Sequence, residues 1–186
     1  MKKIFVIASA MLLLFACKSK KKNDYFPVIS FINSQVKHVD TSLYRIIKVV
    51  TVDSTSDTTF IRREDFRALA KDFLESPDLT RYSIGKKYKE EKFYDQSLNR
   101  VIFTYTPIKN NVEVLSEQVT IAPTLSGEDE VKSIIIEKMK EEDGSMLHQR
   151  LLWQVDESFQ VVDIIEKNGK PVSTKKTEVI WNRTEE

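Results

Sequence analysis

The sequence predicts an α+β protein: a predominantly antiparallel meander sheet of about seven to nine strands, with two helices from the N-terminal half packed on it. Three observations predict it. From Leu98 to Asn182, short apolar or alternating runs follow one another. The breaks between them carry turn chemistry: Pro107 with Asn110 and Asn111, Ser126-Gly127-Glu128, Asp143-Gly144, Asp156-Glu157-Ser158 and Asn168-Gly169. Asp-Gly and Asn-Gly supply the positive φ of tight hairpin turns, so neighbours in sequence should pair antiparallel. Third, two stretches before Leu98 repeat apolar residues at three and four, the helical period.

The first of those stretches runs from Pro27 to about Asp40, where Ile29, Ile32, Val36 and Val39 make one stripe behind Phe26. Pro27 suits a first turn because its missing N–H would have no partner there. Leu43 to Val52 is rich in β-branched residues and reads as a strand. Asp53 to Asp57 breaks it, and Thr58 to Ile61 returns as a short partner. Glu64 to Glu75 is the clearest helix: Phe66, Leu69, Ala70, Phe73 and Leu74 share a face, with acidic Glu64 and Asp65 where the helix dipole favours them. Ser76-Pro77 ends it. In Thr80 to Gln96, a strand over Tyr88 to Tyr94 turns at Asp95 to Asn99. Tyr82, Tyr88, Phe93 and Tyr94 belong to an edge strand, or to a platform for a sugar or peptide.

The later strands are Arg100 to Thr106, Val112 to Ala122, Val131 to Lys140, Met146 to Val155, Phe159 to Lys167 and Val172 to Trp181. Period two puts Leu147, Leu151, Trp153 and Val155 on one face, against His148, Arg150 and Gln154 on the other. Elsewhere, Ile134-Ile135-Ile136, Leu151-Leu152, Val161-Val162 and Ile164-Ile165 put apolar residues on both faces. A sheet with one wet face does not do that. Its second face therefore calls for cover from the chain itself, from an apolar ligand or from a partner.

Upstream of this domain, Met1-Lys2-Lys3 opens an apolar run from Ile4 to Phe15, about a dozen residues and too short to cross a bilayer as a helix. The run ends Leu14-Phe15-Ala16-Cys17, which resembles the lipobox of bacterial lipoproteins, with Phe15 bulkier than that pattern prefers. The resemblance implies cleavage between Ala16 and Cys17 and lipidation of the Cys17 thiol and of the new amino group. Cys17 is the only cysteine, so there is no disulfide framework and no thiolate metal site. Two or more acyl chains would hold the protein stably at a membrane. By the same resemblance, Lys18 in place of an aspartate directly after the cysteine points to the outer membrane. The lack of acidic residues just beyond favours its periplasmic side.

The chain then divides into a signal peptide, 1–16, a lipidated cysteine with a basic linker, 17–24, and one globular domain, 25–186. Lys18, Lys20, Lys21 and Lys22 give the linker its charge; with these and the signal's lysines set aside, a chain of net charge +1 leaves an acidic domain. That balance, without a basic helix or groove, excludes nucleic acid as a partner. Asp53-Ser54-Thr55 and Asp57-Thr58-Thr59 look like the tripeptide used for periplasmic O-glycosylation in some Gram-negative lineages, which marks Ser54 and Thr58 as acceptors on an exposed turn.

Catalytic signals are absent. His38 and His148 are far apart and in no metal-binding spacing, so no metal or cofactor is expected. The Glu128-Asp129-Glu130 and Glu141-Glu142-Asp143 clusters flank turns and lack the spacing of a calcium loop. The expectation is a membrane-anchored envelope lipoprotein, not an enzyme, acting as a binding or scaffolding module for an apolar ligand or an envelope protein. A hydrolase with carboxylates gathered by folding, and a structural surface lipoprotein, are the alternatives.

Overall fold

The computed structural model describes residues 23–124, 127 and 129–182. Nine strands build one antiparallel sheet: β1 Ile46–Val52, β2 Thr55–Ile61, β3 Tyr88–Asp95, β4 Arg100–Pro107, β5 Val114–Ala122, β6 Glu130–Glu142, β7 Ser145–Gln154, β8 Ser158–Lys167 and β9 Lys170–Ile180. Their order is β2-β1-β9-β8-β7-β6-β5-β4-β3. From β3 onward each strand pairs with the next, as the turn residues predict. Asp143 and Gly144 have φ of 48° and 72°, and Asn168 and Gly169 of 53° and 71°. Both residues of each turn are left-handed, the backbone of a type I′ hairpin. The early hairpin joins this meander at its far end, with β1 antiparallel to β9.

Four helical segments stand among the described residues, where two are expected from the sequence: α1 Val28–Thr41, α2 Arg63–Leu69, α3 Lys71–Leu74 and α4 Tyr82–Gly85. The expected helix from Glu64 to Glu75 is broken at Ala70, whose ψ of 3° tightens the turn so that Phe73 N–H donates to Ala70 O at 3.1 Å. Apolar periodicity does not register such a step, because both halves keep their stripe on the sheet. The α4 turn has only four residues and too little period to show. Its Gly85 is needed for close approach, since a Cβ there would collide with the Asn23 side chain and the Leu79 carbonyl.

The early hairpin also differs from expectation. β2 starts at Thr55 and the break shrinks to Asp53-Ser54, with Asp53 at a φ of 52°. Threonine tolerates extended backbone well, so the Ser/Thr run continues the strand instead of looping.

Topology dictates where the helices lie. β2 and β3 occupy opposite edges, so residues 62–87 must cross the whole sheet, roughly 40 Å if it were flat. That crossing carries α2, α3 and α4, and it lies over one face, the inner one. Phe66 and Phe73 reach down to a layer of Trp153, Phe159 and Trp181. Phe66 sits 5.2 Å from Trp181 and 5.8 Å from Phe159, Phe73 sits 5.3 Å from Trp153, and Trp153 stacks on Phe159 at 5.2 Å. All five are buried. Burying a side chain of this size contributes about 2–3 kcal/mol, so this layer is the strongest point of the core. Val28, Ile32, Val36 and Val39 of α1 join the same cluster. The lead-in to α1 is pinned to the sheet: Tyr25 O–H donates to Tyr88 O at 2.8 Å, and Phe26 N–H donates to the Tyr105 hydroxyl at 3.0 Å.

Among the described residues no helix lies over the outer face. Ile135, Leu152, Val162 and Ile164 lie there half-buried and outside the core cluster. Charged neighbours stand among them, with Arg150 3.7 Å from Glu137 and His148 3.5 Å from Glu166. The stems of such side chains shield apolar residues while their heads stay in water. The doubly apolar strands are thus covered by helices on one face and only partly screened on the other.

Candidate functional site

Strand register sorts the inner face into rows. Val179, Phe159, Trp153, Ile134 and Val119 lie side by side across five strands. The next row holds Val161, Leu151, Ile136, Glu117 and Tyr105. One step further the chemistry changes: Val52, Lys175, Asp163, Gln149 and Lys138 are cross-strand neighbours. Beyond them come Ser173, Ile165, Leu147 and Lys140. The helices cover the first two rows and stop at the third.

The uncovered remainder is a cleft of about 610 Å³. Its floor is Gln149, Asp163, Lys175, Leu147, Ile165 and Ser173; Asp72 of α3 forms one wall, and Asp143 with Ser145 of the β6–β7 hairpin another. Gln149 Nε2 donates to Asp163 Oδ1 at 2.8 Å, which fixes both side chains on the floor. Ile165 is 39% exposed, so apolar surface faces the cleft beside this fixed polar pair. Lys138 closes the border with the core: its ammonium donates to the Asp72 carbonyl at 2.9 Å, which also accepts from Ser76 Oγ at 2.8 Å. Burial pushes the Lys138 ammonium below the usual lysine range, against the pull of Asp72, Glu113 and Glu75.

Glu117 is the anomaly of the second row. It is 1% exposed, its Oε1 has no hydrogen-bond partner, and burial, with a smaller push from Asp78, raises its carboxyl to about 8. It lies in the core and does not line the cleft. Smaller hollows occur beside Lys86, Lys87 and Ile108, about 410 Å³, and between Asp40, Arg63 and Arg67, about 250 Å³.

The residues marked in the sequence are scattered. Ala16 and Cys17 lie outside the described residues, as does Glu128. Ser54 sits in the β1–β2 turn, but Thr58 is mid-strand on the exposed edge β2 and not on a loop, because the strand begins three residues early. His38 is exposed on α1 with its ring 5.9 Å from Tyr44, while His148 is on the outer face against Glu166. No group of three metal-ligating side chains occurs among the described residues. Of the aromatic residues near β3, Phe93, Tyr94 and Tyr82 are exposed, whereas Tyr88 is buried with its O–H donating to Val114 O at 3.0 Å. Tyr88 therefore belongs to the core and to no stacking platform. Asp143, one of the hairpin-tip carboxylates, lines the cleft.

What the sequence reasoning missed is the polar row. Lys138, Gln149, Asp163 and Lys175 each occupy the core-facing parity of a strand, the first three between or beside apolar residues of that parity and Lys175 between Ser173 and Thr177. Aligning β6 on β7 at Asp143-Gly144 sets Lys138 beside Gln149, but aligning β8 on β9 at Asn168-Gly169 sets Asp163 opposite Thr174; the irregularity between Ile165 and Glu166 brings Lys175 there instead. No family model, no curated protein and no solved structure matches this chain. Among the described residues no helix is long and apolar enough to cross a membrane.

Proposed function

We propose that this protein is a lipid-anchored binding module of the bacterial cell envelope, and that the cleft is where it binds. The single supporting observation is the uncovered end of the inner face, where half-buried Leu147 and exposed Ile165 lie next to the Gln149–Asp163 hydrogen bond. A concave site with apolar surface and a few fixed polar groups is the usual form of a small-molecule site, and 610 Å³ is within the usual size. The ligand on this reading is an amphiphile, bound and not transformed. The anchor is Cys17, by its resemblance to the lipobox, at the periplasmic side of the outer membrane.

Two measurements test this. The neutral dye N-phenyl-1-naphthylamine should brighten on binding the mature protein, and Leu147→Glu or Ile165→Glu should abolish the signal while leaving the melting temperature within a few degrees. Equal brightening in both variants removes the cleft from the account. For the anchor, labelled palmitate should enter the wild-type chain and not a Cys17→Ser variant. Ser54 and Thr58 are both exposed, and the intact mass of protein from its native host reads whether either carries a sugar.

A second reading, scaffolding through the outer face, is favoured by the half-exposed Ile135, Leu152, Val162 and Ile164.

A further inference from the structure

The inner end of the cleft holds two opposite charges that do not neutralise each other. Asp163 and Lys175 face one another across β8 and β9. Yet the Asp163 carboxylate takes its hydrogen bond from Gln149 on the other side, at 2.8 Å, and among the described residues Lys175 makes no ion pair within 4.0 Å. The nearest lysine pair on that strand, Lys176 with Glu178 at 3.3 Å, has the opposite strand parity and belongs to the outer face. Directly opposed residues in an antiparallel pair have Cβ atoms about 5 Å apart. The floor thus presents an anion and a cation side by side, with Leu147 and Ile165 one row, about 7 Å, further out.

We propose, resting on the cleft-binding reading above, that the ligand is a small zwitterion with an apolar body: its ammonium on Asp163, its anionic group on Lys175, its body over Leu147 and Ile165. Other charge types fit worse. A cation without an anionic group leaves Lys175 facing it. A simple anion meets Asp163, with Asp72 and Asp143 in the walls. An uncharged apolar molecule such as the naphthylamine dye can rest on Leu147 and Ile165 but gains nothing from either charge. Among the described residues the lining contains no aromatic ring, so they offer no flat surface on which a sugar ring or nucleobase stacks. A zwitterion whose charges are a few ångströms apart satisfies both groups at once, and charge-assisted hydrogen bonds are the stronger kind. Free apolar dipeptides and the headgroup of an aminophospholipid share this chemistry.

Calorimetry on the mature protein tests it, with leucyl-leucine, N-acetyl-leucyl-leucine, leucyl-leucine amide and dihexanoyl phosphatidylethanolamine as probes. Capping either end of the dipeptide should weaken binding about tenfold, the size of one lost charged hydrogen bond. Asp163→Asn should erase the penalty for acetylation alone, and Lys175→Gln the penalty for amidation alone. Tighter binding of the phospholipid assigns the zwitterion to a lipid headgroup, and tighter binding of the dipeptide assigns it to a free peptide. If capped and uncapped dipeptides bind equally, or if both variants leave the two penalties in place, the inference is overturned. Should that happen while the naphthylamine dye still binds and is lost in Leu147→Glu, the binding cleft stands and only the zwitterion falls; if the dye fails as well, both fall.

Discussion

Replacing Glu117 by glutamine isolates the one buried carboxyl among the described residues, whose Oε1 has no hydrogen-bond partner. In the folded chain burial holds it near 8, against an ordinary 4.5. Between those values the folded state keeps a proton that the unfolded state has lost, so stability is full at acid pH and falls as pH rises. The loss is about 1.4 kcal/mol per pH unit, or about 3 kcal/mol from pH 5 to pH 7, and it levels off above 8. Glutamine has the same shape and no proton to lose, so its own desolvation adds only an offset that pH does not change. Urea unfolding followed by Trp153 and Trp181 fluorescence at pH 5, 6, 7 and 8 should therefore show Glu117→Gln gaining on the wild type by about 3 kcal/mol between pH 5 and 7. Groups that titrate in both proteins cancel in the difference. Parallel stability curves, at equal denaturant slopes, would show that the carboxyl finds water or a donor when it ionises, and would refute the isolation argued from its unpartnered Oε1.

Two further outcomes follow from the same core. Phe66→Ala removes the ring that touches Trp153, Phe159 and Trp181 and should cost about 3–5 kcal/mol in urea unfolding, with a changed tryptophan emission maximum. Lys138 runs opposite to Glu117: its lowered folded value means the unfolded state binds more protons at alkaline pH, so this residue's share of stability grows as pH rises towards 10.5. Lys138→Met should flatten the stability curve on the alkaline side and expose α3, which loses the bond to Asp72 O, to faster hydrogen exchange.

Local chemistry made the meander legible. Asp143-Gly144 and Asn168-Gly169 announce turns that only a few dipeptides can make; the first fixes the register of its whole hairpin, the second only as far as the irregularity at Glu166. The α2–α3 stripe was legible because Phe66, Ala70 and Phe73 must all face the sheet. What stayed hidden depends on contacts distant in sequence. The pairing of β1 with β9 joins segments more than a hundred residues apart and leaves no mark in either. Glu117 looks like an ordinary strand residue until Tyr105, Ile136 and the crossing segment close around it. The polar row is intermediate: Lys138, Gln149 and Asp163 read locally as blemishes in an apolar alternation, Lys175 as one more polar residue between Ser173 and Thr177, and only the register turns the four into one site. Pro171, unwelcome inside a strand, is explained the same way, since it falls at the irregularity between Ile165 and Glu166 in the β8–β9 ladder.

Strand length explains why a cleft exists at all. β1 to β5 have seven to nine residues, whereas β6 has thirteen, β7 and β8 ten each and β9 eleven. The crossing helices are short and cover only the first two rows of the inner face. β1 ends beside the third row at Val52, the longer strands run on past it, and their overhang, with Leu147, Ile165 and Ser173, is the outer part of the cleft floor. The overhang is then separable from the core, because Leu147, Ile165 and Ser173 lie outside the core cluster. Replacing residues 165–173 by Asn-Gly closes β8 onto β9 just beyond the Ile164–Thr174 pair, with the two-residue turn that suits an antiparallel hairpin. The shortened chain should keep its cooperative unfolding and melt within a few degrees of the wild type, and it should lose dye binding because Leu147 no longer has Ile165 beside it. If the deletion instead abolishes cooperative unfolding, the overhang is part of the core and the division between a structural half and a binding half of this sheet is wrong.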